Sequence, residues 1–233
     1  MITFNNVKFA YPYAEHAVLK GASFSLTNGV NTLLCDTQSG KTTVCKLLCK
    51  QIALADGEIV IDETPIVSIT NAHLGILYLP QNPAFFEGRS VLYNVEYPLR
   101  VRKTDKATRK SKVMEVASRL GLDGLLSEKV KKLTTTERRL VALARGLTVP
   151  RKVVLFDDFF AEADQTDNSL LSVNNVLQAF GDTTTILVTS NAQLATGNTV
   201  VLDGGVAIYQ GDAEGARQVV NNIGWLHNQL RSE

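Results

Sequence analysis

The sequence predicts an α/β fold built on a largely parallel sheet, and two observations carry that expectation. Continuous β-branched and apolar runs appear late in the chain, at residues 152–156, 184–189 and 199–202, with helical stretches between them. Such runs suit strands buried on both faces and joined by crossover helices. Earlier, the apolar run Thr32-Leu33-Leu34 leads through a glycine-containing turn into a helical pattern, giving a strand–turn–helix order near the N-terminus.

The elements follow in order. Ile2-Thr3-Phe4, Val7-Lys8-Phe9-Ala10 and residues 22–26 read as short strands, punctuated by Asn5-Asn6, Pro12, Gly21 and Asn28-Gly29. A helix over residues 41–51 places Val44, Leu47, Leu48 and Ile52 on apolar faces. Residues 57–62 and 74–79 read as strands, the second ending at Pro80-Gln81. From about 82 to 148 the character is helical, and residues 102–122 carry an apolar set at Val113, Val116, Ala117 and Leu120. The basic residues Arg100, Arg102, Lys103, Lys106, Arg109, Lys110 and Lys112 read as a solvated helix face, because Asp105 and Glu115 interrupt them.

Composition narrows the function classes. A chain of 233 residues holds one sizeable core, or one core with an inserted subdomain. Its 24 basic and 23 acidic residues leave no electrostatic footprint for nucleic acid or acidic lipid, so no nucleic-acid partner is expected. No window reaches the ~20 apolar residues of a membrane span, and the N-terminus lacks a secretory layout, which predicts a cytosolic chain. Cys35, Cys45 and Cys49 cluster together, with Cys45 and Cys49 on one helix face, and no histidine or fourth cysteine lies nearby in sequence. Buried reduced thiols acting as small apolar groups are expected rather than a metal or redox site.

Ser39-Gly40-Lys41-Thr42-Thr43, directly after the apolar run, reads as a P-loop. Backbone N–H groups at the helix start and the Lys41 ammonium suit a nucleotide's phosphates, and the Thr42 hydroxyl suits Mg²⁺. Hydrolysis also needs a carboxylate at the tip of a buried strand, and Val153-Val154-Leu155-Phe156-Asp157 supplies one.

With these residues in place, nearly the whole chain resembles the nucleotide-binding domain of ATP-binding cassette (ABC) proteins. Phe9-Ala10-Tyr11-Pro12 resembles the aromatic loop, and Leu79-Pro80-Gln81-Asn82 the Q-loop. Residues 133–147, beginning Leu133-Thr134-Thr135-Thr136-Glu137, stand where the family has Leu-Ser-Gly-Gly-Gln and its helix. Residues 157–164 align without a gap on the Walker B end and D-loop, and residues 200–212 on a closing strand hairpin. The resemblance implies a P-loop NTPase of α/β class, with a mainly parallel core sheet, an N-terminal antiparallel β subdomain and an α-helical subdomain inserted at about 82–150 of a single 1–233 domain. It further implies ATP and Mg²⁺ as cofactors. Tyr11 would stack on adenine, and Ser39, Gly40, Lys41, Thr42 and Thr43 would hold the phosphates. Thr42, Gln81 and Asp157 would serve the metal, while Asp158 and Gln81 would orient or activate water. Ser190 occupies the switch position. Thr134, Thr135, Thr136 and Glu137 would act in trans, on the nucleotide of a second ABC subunit in a homo- or heterodimer.

Several positions depart from the family pattern. Cys35 replaces the first P-loop glycine and is expected to distort the loop or narrow its mouth. Thr135 and Thr136 replace two glycines, and their β-branched side chains are expected to weaken phosphate contact. Thr134 with Glu137 also forms a capping-box pattern, which starts a helix whatever the ligand. Asp158 replaces glutamate, one methylene shorter, and a positioning error of about 1 Å can cost on the order of 10²-fold. Ser190 replaces a histidine and lacks a cationic ring.

Two functions follow from the resemblance. One is the ATP-binding subunit of a membrane transporter, cytoplasmic and held at the membrane by a separate transmembrane chain, with weakened hydrolysis. The other is a catalytically weak structural or regulatory subunit paired with an active ATPase chain.

Overall fold

A computed structural model describes residues 1–36, 39–160 and 171–224 of the chain. It divides into two compact units, the first comprising Met1–Tyr78, Lys152–Asp158 and Asp182–Glu233, the second Leu79–Arg151 and Phe159–Gly181.

The first unit opens on β1 (Ile2–Phe9), which pairs antiparallel with β2 (Leu19–Leu26) and β4 (Asp56–Ile61). With β5 (Thr64–Pro65) they form a four-stranded sheet of order β2-β1-β4-β5. The sequence suggests two strands broken at Asn5-Asn6, whereas one strand runs through. A bulge absorbs the break: Asn5 and Asn6 are consecutively exposed, Asn6 has φ 48°, and both neighbouring registers shift there. The bulge lets Ile2, Phe4, Val7 and Phe9 all face the core despite their uneven spacing. Gly57 matches it, since a Cβ there would lie 2.4 Å from the Asn6 carbonyl oxygen. Phe4 and Phe24 stack at 4.4 Å across the pair, worth about 1 kcal/mol beyond their buried area.

The larger sheet is centred on β3 (Val30–Cys35), with β8 (Thr184–Thr189) and β9 (Asn198–Asp203) parallel on either side. Its order is β10-β9-β3-β8-β7-β6, where β6 is Ile76–Pro80, β7 Val153–Asp157 and β10 Val206–Gly211. β7 pairs parallel to β8, and β10 closes the edge as an antiparallel hairpin with β9. Every residue of β7 is buried, which explains its unbroken apolar run. The helix α1 (Lys41–Leu48) follows β3 and buries Val44, Leu47 and Leu48 in the core formed with both sheets. At the other end α6 (Ala213–Asn222) sets Ala216 and Val220 against Leu34, Ala192 and Val201.

The second unit is helical: α2 (Val91–Val101), α3 (Lys106–Arg119), α4 (Thr135–Leu147) and α5 (Val173–Phe180). Ser90, Asp105 and Ser172 cap α2, α3 and α5, each accepting a hydrogen bond from an N–H of the first turn. Val113, Val116, Ala117 and Leu120 are all buried. One member of the basic cluster is less solvated than expected: Arg109 is half-buried against the buried Glu96, which the exposed Arg100 also grips. Burial pushes the Glu96 carboxyl up, and hydrogen bonds from Arg109 and Arg100 more than reverse this, leaving it below the usual range. The unit also takes in Phe159–Gly181, beyond the 82–150 expected from sequence. No helix among the described residues is long and apolar enough to cross a membrane.

Candidate functional site

The turn after β3 is built around one glycine. Gly40 caps α1 with φ 97°, a left-handed conformation that L side chains rarely adopt, and a Cβ there would meet Leu19 Cδ2 at 3.0 Å. Ser39 N–H donates to the Asp36 carbonyl at 3.1 Å, and Val44 N–H donates to the Gly40 carbonyl at 2.9 Å, so the turn passes directly into helix. Thr37 and Gln38 of the loop lie outside the described residues.

Cys35 does not sit at the mouth of the loop. It is the last residue of β3, in register with Leu202, fully buried in the core and without positive φ. A small apolar side chain suits that place, so the expected distortion has no basis there. Burial pushes the Cys35 and Cys45 thiols well above their ordinary range, and pushes Cys49 up to about 12 with Asp157 adding to the shift.

Two carboxylates stand at the end of β7. Asp157 is buried and accepts a hydrogen bond from the Tyr78 hydroxyl at 2.8 Å. The Thr42 hydroxyl is near enough to Asp157 to act on its carboxyl, which places the start of α1 beside the tip of β7. Burial raises the Asp157 carboxyl above its ordinary value, Asp158 adds to this, and Tyr78, Thr42 and Lys41 oppose it. Asp158 turns the other way. Its φ of 47° is left-handed, its N–H donates to the Val188 carbonyl at 2.8 Å, and its Oδ2 lies 2.6 Å from Lys41 Nζ. Both partners are largely shielded, with side chains 14% and 19% exposed, and Asp158 Oδ1 is buried without a hydrogen-bond partner.

Tyr11 is half-buried beside the same helix. Its hydroxyl lies 3.2 Å from Thr43 Oγ1, its ring meets Phe9 edge-on at 5.0 Å, and Lys46 Nζ sits 5.9 Å from its centroid. Ser190 is half-buried immediately after β8. Tyr11, Ser39, Gly40, Lys41, Thr42, Thr43, Asp157, Asp158 and Ser190 thus belong to one unit.

Gln81 and the signature residues belong to the other. Gln81 is exposed just after β6. Thr134 is the N-cap of α4 in a complete capping box: its hydroxyl accepts from Glu137 N–H, and Glu137 Oε2 accepts from Thr134 N–H at 2.8 Å. Thr135 is exposed and Thr136 half-buried in the first turn. Of the D-loop expected to end at Asp164, only the part through Phe160 lies within the described residues. Tyr78 escaped the sequence reading; its signal was a phenol inside an otherwise apolar strand run.

The residues fit Mg-ATP. Thr42 and Asp157 offer a hydroxyl and a carboxylate oxygen at one point, the hard donors that Mg²⁺ takes. The orphaned Asp158 Oδ1 marks a polar spot left without a protein partner. Gly40 opens a helix whose first N–H groups suit phosphate oxygens.

A family profile described as ABC transporter matches residues 19–161. The chain belongs to the ABC transporter family. It is 34% identical over 156 residues to the molybdate/tungstate import ATP-binding protein WtpC of Thermococcus kodakarensis, covering 66% of this chain and 47% of that protein. The namesake from Pyrococcus horikoshii is 33% identical over 155 residues, covering 66% and 45%. In fold it matches a bacterial Atm1-family ABC exporter solved with ATP bound, with TM-score 0.77 and 22% identity over 99% of this chain and 42% of that one. The chain thus spans less than half the length of the curated relatives it matches. The fold is that of an ABC ATPase, a P-loop NTPase with a parallel-rich core sheet and an antiparallel N-terminal sheet.

Proposed function

We propose that this ABC-family chain binds Mg-ATP at its P-loop, as the ATP-binding subunit of a transporter whose transmembrane part is a separate chain. The observation that carries it is the contact of Lys41 with Asp158 at 2.6 Å, which brings the helix after the P-loop to the end of β7 beside Asp157. Thr42 and Asp157 would hold the metal, and the Lys41 ammonium would meet the β- and γ-phosphates. Bound Mg²⁺ supplies charge neutralisation on the phosphate oxygens. Tyr11 stacks on adenine, and the first turn of α4 after Thr134 contacts the nucleotide of a second ABC subunit. The relatives' names concern import ATP-binding proteins, which supports a transport role, and the chain would lie on the cytoplasmic face of the membrane through its partner.

Hydrolysis is weakened in this reading. Asp158 is short for a base, Ser190 cannot donate from a cationic ring, and Thr135 and Thr136 add side chains where the partner's phosphate must approach. One observation favours the second reading, a regulatory subunit paired with an active ATPase: Asp158, at the position of the base, is engaged with Lys41 at 2.6 Å.

The test is ATP binding and turnover by the purified chain, beside Lys41→Ala and Asp158→Glu. ATP binding that Lys41→Ala removes is expected; absence of any binding to the parent chain sinks the nucleotide reading. Turnover above about 1 s⁻¹, lost in Lys41→Ala, eliminates the regulatory reading. Binding without turnover, partly restored by Asp158→Glu with Ser190→His, selects it.

A further inference from the structure

We infer that Asp158 is a positioning residue that acts as a stand-in anion for Lys41, latching the P-loop lysine until a phosphate displaces it. The inference rests on the proposed nucleotide site and adds an internal competitor to it.

The geometry supports an exchange of anions on one ammonium. Lys41 is the first residue of α1, and Asp158 follows the last residue of β7, 117 positions away in sequence. Their contact at 2.6 Å, with both side chains more than four-fifths shielded, is a short charge-assisted hydrogen bond in a low-dielectric place. The backbone is shaped to make it. A left-handed φ of 47° is uncommon outside glycine but tolerated by aspartate, and the bond from Asp158 N–H to the Val188 carbonyl fixes the residue to β8. The carboxylate is incompletely satisfied: Oδ2 meets the lysine, while Oδ1 is buried with no partner. A group held in left-handed backbone and half-unpaired is readily displaced by a better ligand for the same cation. Phosphate oxygens, which the helix-start N–H groups also serve, are such a ligand.

A purely structural ion pair predicts only lost stability on mutation, whereas the latch also predicts gained affinity. The experiment is equilibrium binding of Mg-ADP to the parent chain and to Asp158→Asn, with thermal unfolding of both in the absence and presence of Mg-ADP. ADP is chosen because its binding is unaffected by stalled turnover. Asparagine keeps the shape and tolerates left-handed φ. Asp158→Asn is expected to melt lower without ligand, to bind Mg-ADP on the order of tenfold more tightly, and to show a larger ligand-induced rise in Tm. Unchanged or weaker Mg-ADP affinity in Asp158→Asn overturns the latch, even if the ligand-free Tm falls. The two readings fail separately. Parent binding without gain in the variant removes only the latch, whereas binding by neither chain removes both. Should Asp158→Asn not fold, Asp158→Gly, which suits left-handed φ, is measured by the same two readouts.

Discussion

The tip of β7 and the start of α4 are both built from hydroxyls and carboxylates, yet they are assembled in opposite ways. At β7, Asp157 is buried and held by Tyr78, 79 positions away, and Asp158 reaches Lys41, 117 positions away. At α4, Thr134 and Glu137 satisfy each other within one turn of helix, and both hydrogen bonds are exposed. The first arrangement exists only when three strands of one sheet and a helix have packed. The second needs only its own four residues. Polar chemistry that depends on packing is costly to disturb, and polar chemistry that depends on local geometry is not.

That contrast is breakable. The largest effect is expected from Tyr78→Phe, which removes a hydroxyl donor from a buried carboxylate and should cost about 2 kcal/mol in ligand-free stability at neutral pH, measured by denaturant unfolding. The cost should depend on pH with a definite sign. Burial already raises Asp157, and losing the Tyr78 bond raises it further. A protonated Asp157 needs the donor less, so the difference between the two proteins should be largest above the raised value and shrink as pH falls through it. A pH-independent difference would count against the buried-carboxylate account. Thr134→Ala should cost about 1 kcal/mol by the same measurement, the usual worth of an N-cap, without pH dependence near neutrality. Smallest is the pair Thr135→Gly with Thr136→Gly: at the first turn, glycine should cost under about 1 kcal/mol. If the double change costs more than Tyr78→Phe, the first turn of α4 is held by packing and the contrast between the two regions fails.

The same contrast explains what was legible in the sequence. Strand β7 was plain from Val153 to Asp157, and the capping box from Thr134 and Glu137, because each signal lies within a few residues. The P-loop was legible through Gly40 and Lys41 for the same reason. The single strand β1 was not, because a bulge at Asn6 depends on Gly57 opposite, half a hundred residues on. Nor was the place of Cys35: a motif pattern suggests a loop position, but its neighbours in the sheet, Leu202 among them, make it the end of a strand. The pairings of Lys41 with Asp158 and of Glu96 with Arg109 were invisible for want of any local pattern.

The burial of Cys35 has a consequence for the chain's chemistry outside its ligand. Fully buried in the core shared with Val44, Leu47 and Leu48 of α1, its sulfur meets an oxidant or alkylating agent only when that packing opens. That same opening dismantles the turn at Gly40. The thiol therefore records openings of the core beneath the site, and stays silent for as long as that core is whole.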